Sequence, residues 1–186
     1  MSERHTGAVP MRGALLKAVA AVAALLSVAA LTAGVSGAAA PITLAIFDFE
    51  LEDSSAGPAS TGAADVAQLT KVTDEVRALL AKSGRYSPVD VGAVDAAVAK
   101  AHALRDCDGC EAAIARGLGA EESLVGVVRR ISRTEYTVRF RMRDSRTGAV
   151  VLDADSGLRM GADYSWSRGA VRLISDRLLE RPAPQP

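Results

Sequence analysis

Apolar residues run through the chain in two rhythms, one unbroken and one alternating. Ile42–Phe49 (ITLAIFDF) is apolar at nearly every position and predicts a strand covered on both faces. Asp48 interrupts that run, and a carboxylate buried there would need hydrogen bonds, for instance from loop amides. Glu50–Ala64 is polar and rich in Gly, Ser and Pro, the composition of a long loop. In Asp65–Ser83, Val66, Leu69, Val72, Val76, Leu79 and Leu80 recur at spacings of three and four. That spacing predicts a helix with one apolar stripe, capped by Asp65 and stopped by Gly84. Tyr86–Val91 reads as a short strand. Asp90 or Gly92 then leads into an alanine-rich helix, Ala93–Leu104, with Val94, Val98 and Ala101 inward. A third helix runs from about Cys110 to Leu118 and ends at Gly119.

The second half turns to alternation. Ser123–Ile131 predicts a strand that is apolar at first and basic at its end. In Glu135–Asp144, Val138, Phe140 and Met142 alternate with Arg139, Arg141 and Arg143, the period of a strand with one wet face. Ser145–Gly148 is a turn and Ala149–Asp155 the returning strand. A last helix opens at Asp163 or Ser165 and runs through Leu179, with Trp166, Ala170, Leu173, Ile174 and Leu178 inward. The order β-α-β-α-α-β-β-β-α gives an α/β (α+β) fold. It predicts a single mixed sheet of about five strands packed with helices, parallel early and an antiparallel meander late.

The first forty residues follow a different plan. Arg12 and Lys17 precede an uninterrupted apolar run, Ala18–Val35, followed by Ser36, Gly37 and small alanines. This is the layout of a secretory signal, with cleavage near Ala39. The expected organisation is a signal peptide over 1–39, a single domain over 40–180 and an extended Pro-rich tail over 181–186. The mature protein is expected in the periplasm, with no stable membrane span after cleavage. The alternative is an uncleaved anchor, although alanine contributes little transfer energy. Met11 could also serve as the start. No cysteine follows the run closely, so a lipid has no acceptor there. Losing Glu3, Arg4, Arg12 and Lys17 from 22 residues of each sign leaves 19 basic and 21 acidic. That balance and the scarcity of aromatics argue against nucleic acid as a partner.

Few residues can carry chemistry. Cys107 and Cys110 are the only cysteines, spaced C-x-x-C at the entry to a helix. In an oxidising compartment a disulfide is expected, closing a very short loop. A thiol–disulfide role is the alternative, because a helix start lowers a thiol pKa. Against it, a helix precedes the pair where redox motifs follow a strand, and Asp106 and Asp108 oppose thiolate formation. Zinc would need further ligands from His102, Asp106, Asp108 or Glu111, at spacings that fit no standard pattern, so no metal is expected. His102 is the only histidine beyond the leader, and a packing or surface role suits it better than catalysis. Asp48, Glu50, Glu52 and Asp53 cluster after the first strand, but they match no calcium loop, and a solvated acidic loop is expected. Arg139, Arg141 and Arg143 share one strand face, with Arg129, Arg130 and Arg146 in reach. They form either a solvated outer face or a docking surface for an acidic partner or anionic lipid. No phosphate-cradling loop or hydrolase elbow is present, so no cofactor and no catalytic set is expected. The reading is a non-enzymatic periplasmic binding or accessory module acting on an envelope protein. A periplasmic thiol–disulfide protein and an envelope-associated module using the arginine face are the alternatives.

Certain stretches carry a resemblance: Ala45–Leu51 (AIFDFEL) with Asp53-Ser54-Ser55, Cys107–Ala115 (CDGCEAAIA), Leu118-Gly119-Ala120, Val125–Val128 and Asp163–Trp166. Through these the chain resembles an uncharacterised exported bacterial family, domain of unknown function 2380, over most of residues 42 to 180. More remotely, its plan is similar to the amino-terminal domain of the Tol-system propeller protein and to the curli secretion family. The resemblance implies a mixed α/β fold and the cell envelope, and it brings no catalytic residue.

Overall fold

The structure is a computed structural model that describes residues 40–55, 62–92 and 103–180. The expected leader, residues 93–102 of the expected Ala93–Leu104 helix with His102, and the Pro-rich tail lie outside the described residues, while Ala103 is extended and Leu104 opens a 3-10 turn. Seven strands form one mixed sheet: β1 Ile42–Ile46, β2 Glu50–Asp53, β3 Tyr86–Val89, β4 Glu122–Ser132, β5 Glu135–Asp144, β6 Val150–Asp155 and β7 Arg159–Met160. The helices are α1 Ala63–Lys82, α2 Cys110–Gly117 and α3 Trp166–Ile174. Single 3-10 turns stand at Leu104–Asp106 and Asp163–Ser165, and a π turn over Ser175–Leu179 extends α3.

The sheet follows only five paths, in the order β3-β1-β4-β5-β6. β2 continues β1 along β4, and β7 continues β6 along β5. Between Ile46 opposite Leu124 and Glu50 opposite Val127, one path advances four residues and its neighbour three. The same one-residue excess separates Asp155 opposite Arg139 from Arg159 opposite Tyr136. Each excess is a bulge that breaks one strand into two. The sequence reading of about five strands therefore matches the paths, and it missed both bulges. Glu50–Asp53, expected as loop, is a strand paired to β4, with Glu52 and Asp53 bonded to Arg129 and Arg130 of that strand.

The first bulge is held from α1. The Phe49 amide donates to Thr73 Oγ1 at 3.0 Å, and Arg77 Nη2 donates to the Ile46 carbonyl at 2.7 Å. The Phe49 ring lies on Gly126, where a Cβ would overlap it. Asp48 is not buried; it is exposed and pairs with Arg77 at 3.2 Å.

One face of the sheet packs Leu44, Ile46, Leu124, Val128, Phe140 and Met142 against α1 and α3. Trp166 is 1 % exposed there, as its place in the inward stripe predicts. Val66 departs from the expected stripe: it is 53 % exposed, in the first turn of α1, before the helix axis reaches the core. Asp65 sits inside the helix, and Gly62 holds the N-cap position; the Asp65 carboxylate accepts the Gly62 amide at 3.1 Å. The other face packs Ala45, Phe47 and Val125 against Leu104, Ala115 and Ala120.

Candidate functional site

Among the described residues, the cover on this second face is partial. The Leu104–Asp106 turn and α2 lie over β1 and the start of β4. Beside them opens a cleft of about 510 Å³, with Val125, Val127 and Thr137 on its floor and Arg105, Glu52, Arg129, Arg139, Arg141 and Asp155 around it. Its charged lining follows from strand alternation: the odd positions of β4 and β5 turn away from the α1–α3 core.

The charges are arranged as pairs. Arg139 Nε bonds Asp153 Oδ1 at 2.8 Å, its Nη2 reaches Oδ2, and Arg141 Nε bonds the same Oδ2 at 3.1 Å. Arg129 bonds Glu52 at 2.6 Å, and Arg105 bonds Glu50 at 2.9 Å. The Arg139 hydrogen bond holds the Asp153 carboxyl below the usual range, with Arg141 adding to it. The Arg129 hydrogen bond does the same to Glu52. One carboxylate shared by two guanidiniums leaves donors on both arginines for an incoming acceptor.

The arginine trio divides. Arg139 and Arg141 border the cleft. Arg143 does not: its side chain is 11 % exposed under the start of α2, bonded to Glu111 at 2.8 Å, Asp108 at 2.7 Å and the Gly148 carbonyl at 2.9 Å. β5 passes beneath α2 at that point, so the third arginine fastens helix to sheet.

Arg143 leads to the cysteine pair. Cys107 and Cys110 adjoin with Cα atoms 5.6 Å apart, across a tight turn that Gly109 makes at φ +101°. The Cys107 sulfur lies 3.3 Å from the Leu104 carbonyl and 3.7 Å from Glu111 Oε2. Glu111 is almost fully buried. The buried carboxylate beside Cys107 is therefore Glu111, the second residue of α2, whereas Asp106 and Asp108 are exposed. Among the described residues, Cys107, Cys110 and Glu111 are the one group of three ligand types whose ligand atoms all lie within 4.8 Å of one another. Holding a metal would require reduced sulfurs, with Glu111 Oε2 facing Cys107 while Oε1 stays on Arg143.

The acidic cluster does not converge. Asp48 goes to Arg77, Glu50 to the Leu104 amide and Arg105, Glu52 to Arg129, and Asp53 to Arg130 at 3.1 Å. Sequence reasoning missed the role of Arg130. Its largely buried guanidinium meets Asp53, Asp65 at 3.0 Å and Asp163 at 3.6 Å, and stands 5.5 Å from the Trp166 ring centre. It joins β2, β4, α1 and the entry to α3. The signal was the match of Glu52-Asp53 to Arg129-Arg130, legible only once the two strands are known to be neighbours.

Among the described residues, no helix is long and apolar enough to cross a membrane. No curated protein matches the chain. The family profile described as protein of unknown function (DUF2380) matches residues 42–178. Among solved structures, the chain is similar to the LpoB C-terminal domain from Salmonella enterica at 18 % identity, covering 67 % of this chain and 86 % of that one, with a TM-score of 0.45. It is similar to the PelC dodecamer from Paraburkholderia phytofirmans at 20 % identity, covering 75 % and 86 %, with a TM-score of 0.43. TolB from Acinetobacter baumannii is similar at 14 % identity, covering 77 % of this chain and 29 % of that one, with a TM-score of 0.45.

Proposed function

The chain belongs to the family described as protein of unknown function (DUF2380), and from that premise we propose a non-enzymatic accessory module of the cell envelope that binds another protein through its open sheet face. The observation that carries this reading is the cleft beside α2. Among the described residues, α2 covers this sheet face only in part and leaves Val127 and Thr137 half-buried between ordered ion pairs, which suits a protein surface of matching charge pattern. Of the carboxylates there, Glu52 is committed to Arg129 and Asp153 to Arg139 and Arg141, and Asp155 accepts the Gly157 amide, the arrangement of an ordered recognition surface. The signal-peptide plan of residues 1–39, with cleavage near Ala39, supports export. Cys107 and Cys110 act as a disulfide clip. They fix the start of α2 and add modestly to stability, while the Glu111–Arg143 bond fastens the helix to the sheet independently of them. Glu111 beside Cys107 disfavours thiolate and weighs against a redox couple.

Photo-crosslinking in the organism of origin tests this. A photoreactive residue in place of Thr137, on the cleft floor, should give a discrete adduct with one envelope protein. The same residue in place of Lys71, exposed on α1, should not. Adducts from Lys71 with none from Thr137 would reject the cleft as the contact surface.

A further inference from the structure

A second surface stands apart from the cleft, where β7 meets α3. Large apolar side chains in the described residues are mostly inside, yet Leu158, Met160 and Tyr164 are 60 %, 72 % and 65 % exposed, more than any other. They lie within seven residues of one another, on the loop from the second bulge to α3. Leu158, Arg159, Met160, Arg168 and Arg172 border one groove of about 420 Å³, and Ser165, next to Tyr164, borders it too. Gly157 and Gly161 both take positive φ and so turn the segment tightly around its apolar residues. The adjacent carboxylates are engaged: Asp163 faces Arg130, and Asp176 faces Arg172 at 3.7 Å. Arg159 and Arg168 have no carboxylate partner among the described residues. The surface is therefore apolar at its tips and positive at its flank.

We propose that this surface docks on an anionic phospholipid bilayer, with Leu158, Met160 and Tyr164 entering the interface and Arg159, Arg168 and Arg172 meeting headgroup phosphates. Charge complementarity selects this occupant. Arg159 and Arg168, without a carboxylate partner among the described residues, and Arg172, in a long exposed contact to Asp176, flank three protruding apolar side chains, which is the composition of an interfacial anchor, and neither element suffices alone. Tyr164 also suits the boundary, since its ring is apolar and its hydroxyl polar. An apolar protein partner would leave the arginines to be desolvated, whereas headgroups keep them hydrated and neutralised. The proposal rests on this groove alone and does not depend on what the cleft binds.

The test is co-sedimentation of the purified chain with vesicles of phosphatidylcholine, with and without phosphatidylglycerol. Binding should require phosphatidylglycerol and weaken with salt. Each arginine at the surface contributes about fivefold in affinity, so Arg168→Gln with Arg172→Gln should weaken binding by roughly 25-fold. Leu158→Ser with Met160→Ser should abolish sedimentation while leaving the thermal melt of these exposed sites unchanged. Light scattering in solution should show that neither variant changes the chain's oligomeric state. Equal binding to both vesicle types, binding untouched by either variant, or no binding at all would overturn the proposal. So would self-association that depends on Leu158 and Met160, which would make a second copy the occupant.

Discussion

Gly126 carries a constraint that its place in a strand hides. Its missing side chain makes room for the Phe49 ring on the bulge opposite. Gly126→Ala should cost about 1–3 kcal/mol by overpacking. In a Phe49→Leu background the same change should cost much less, and denaturant melts of the four variants would reveal the coupling. Trp166 is the matching case inside the core. Trp166→Ala should cost roughly 3–5 kcal/mol through lost burial and the cavity left behind, and it also removes the ring beside Arg130. An unchanged midpoint would place the ring outside the core. Glu122 works in the opposite direction. Burial, then Asp144 and Glu121, raise its pKa, and its Oε2 is buried without a partner. A raised carboxyl penalises folding once pH exceeds the ordinary glutamate range. Glu122→Gln should therefore raise the melting temperature near neutrality, and that gain should vanish on acidification below that range.

At the scale of elements, the bulge and its supports act as a unit. Thr73→Val keeps shape but removes the acceptor for the Phe49 amide, and leaving that group unsatisfied should cost about 1–3 kcal/mol. Replacing both cysteines with serine opens a loop of sequence separation 3. If a disulfide is formed there, its loss should cost at most roughly 2 kcal/mol by chain entropy. Helix α1 and strand β5 were legible in the sequence because their periods are sustained over many residues. β2 and β7 were not, because four and two residues are too few to show a period. The division of the arginine trio was equally hidden. Arg139, Arg141 and Arg143 are equivalent by alternation, and only the path of α2 over the end of β5 sets Arg143 apart. The same holds for Arg130, whose partners lie on β2, α1 and the entry to α3, far apart in sequence.

At the scale of the whole molecule, among the described residues, one sheet face packs against α1 and α3 and the other is covered only in part, with most of its charges in ion pairs. Three carboxylates add an acid-side loss of stability. Glu52, Asp53 and Asp153 all titrate below their ordinary range in the folded state, through bonds to Arg129, Ser55 and Arg139 respectively. Their stabilisation is present above the ordinary carboxylate range and is lost as pH falls through the lowered values. Asp153→Asn should flatten the acid side of a stability–pH curve. The most direct test of the central claim fills the cleft without touching an ion pair. Thr137→Trp places a large ring on the floor, and the variant is compared with the parent and with Cys107→Ser/Cys110→Ser in a strain lacking the chain. Thr137→Trp should keep its melting temperature and fail to restore the strain, whereas the double serine variant should restore it. Restoration by Thr137→Trp, together with failure of a double serine variant that melts normally, would contradict the account and make sulfur chemistry the function.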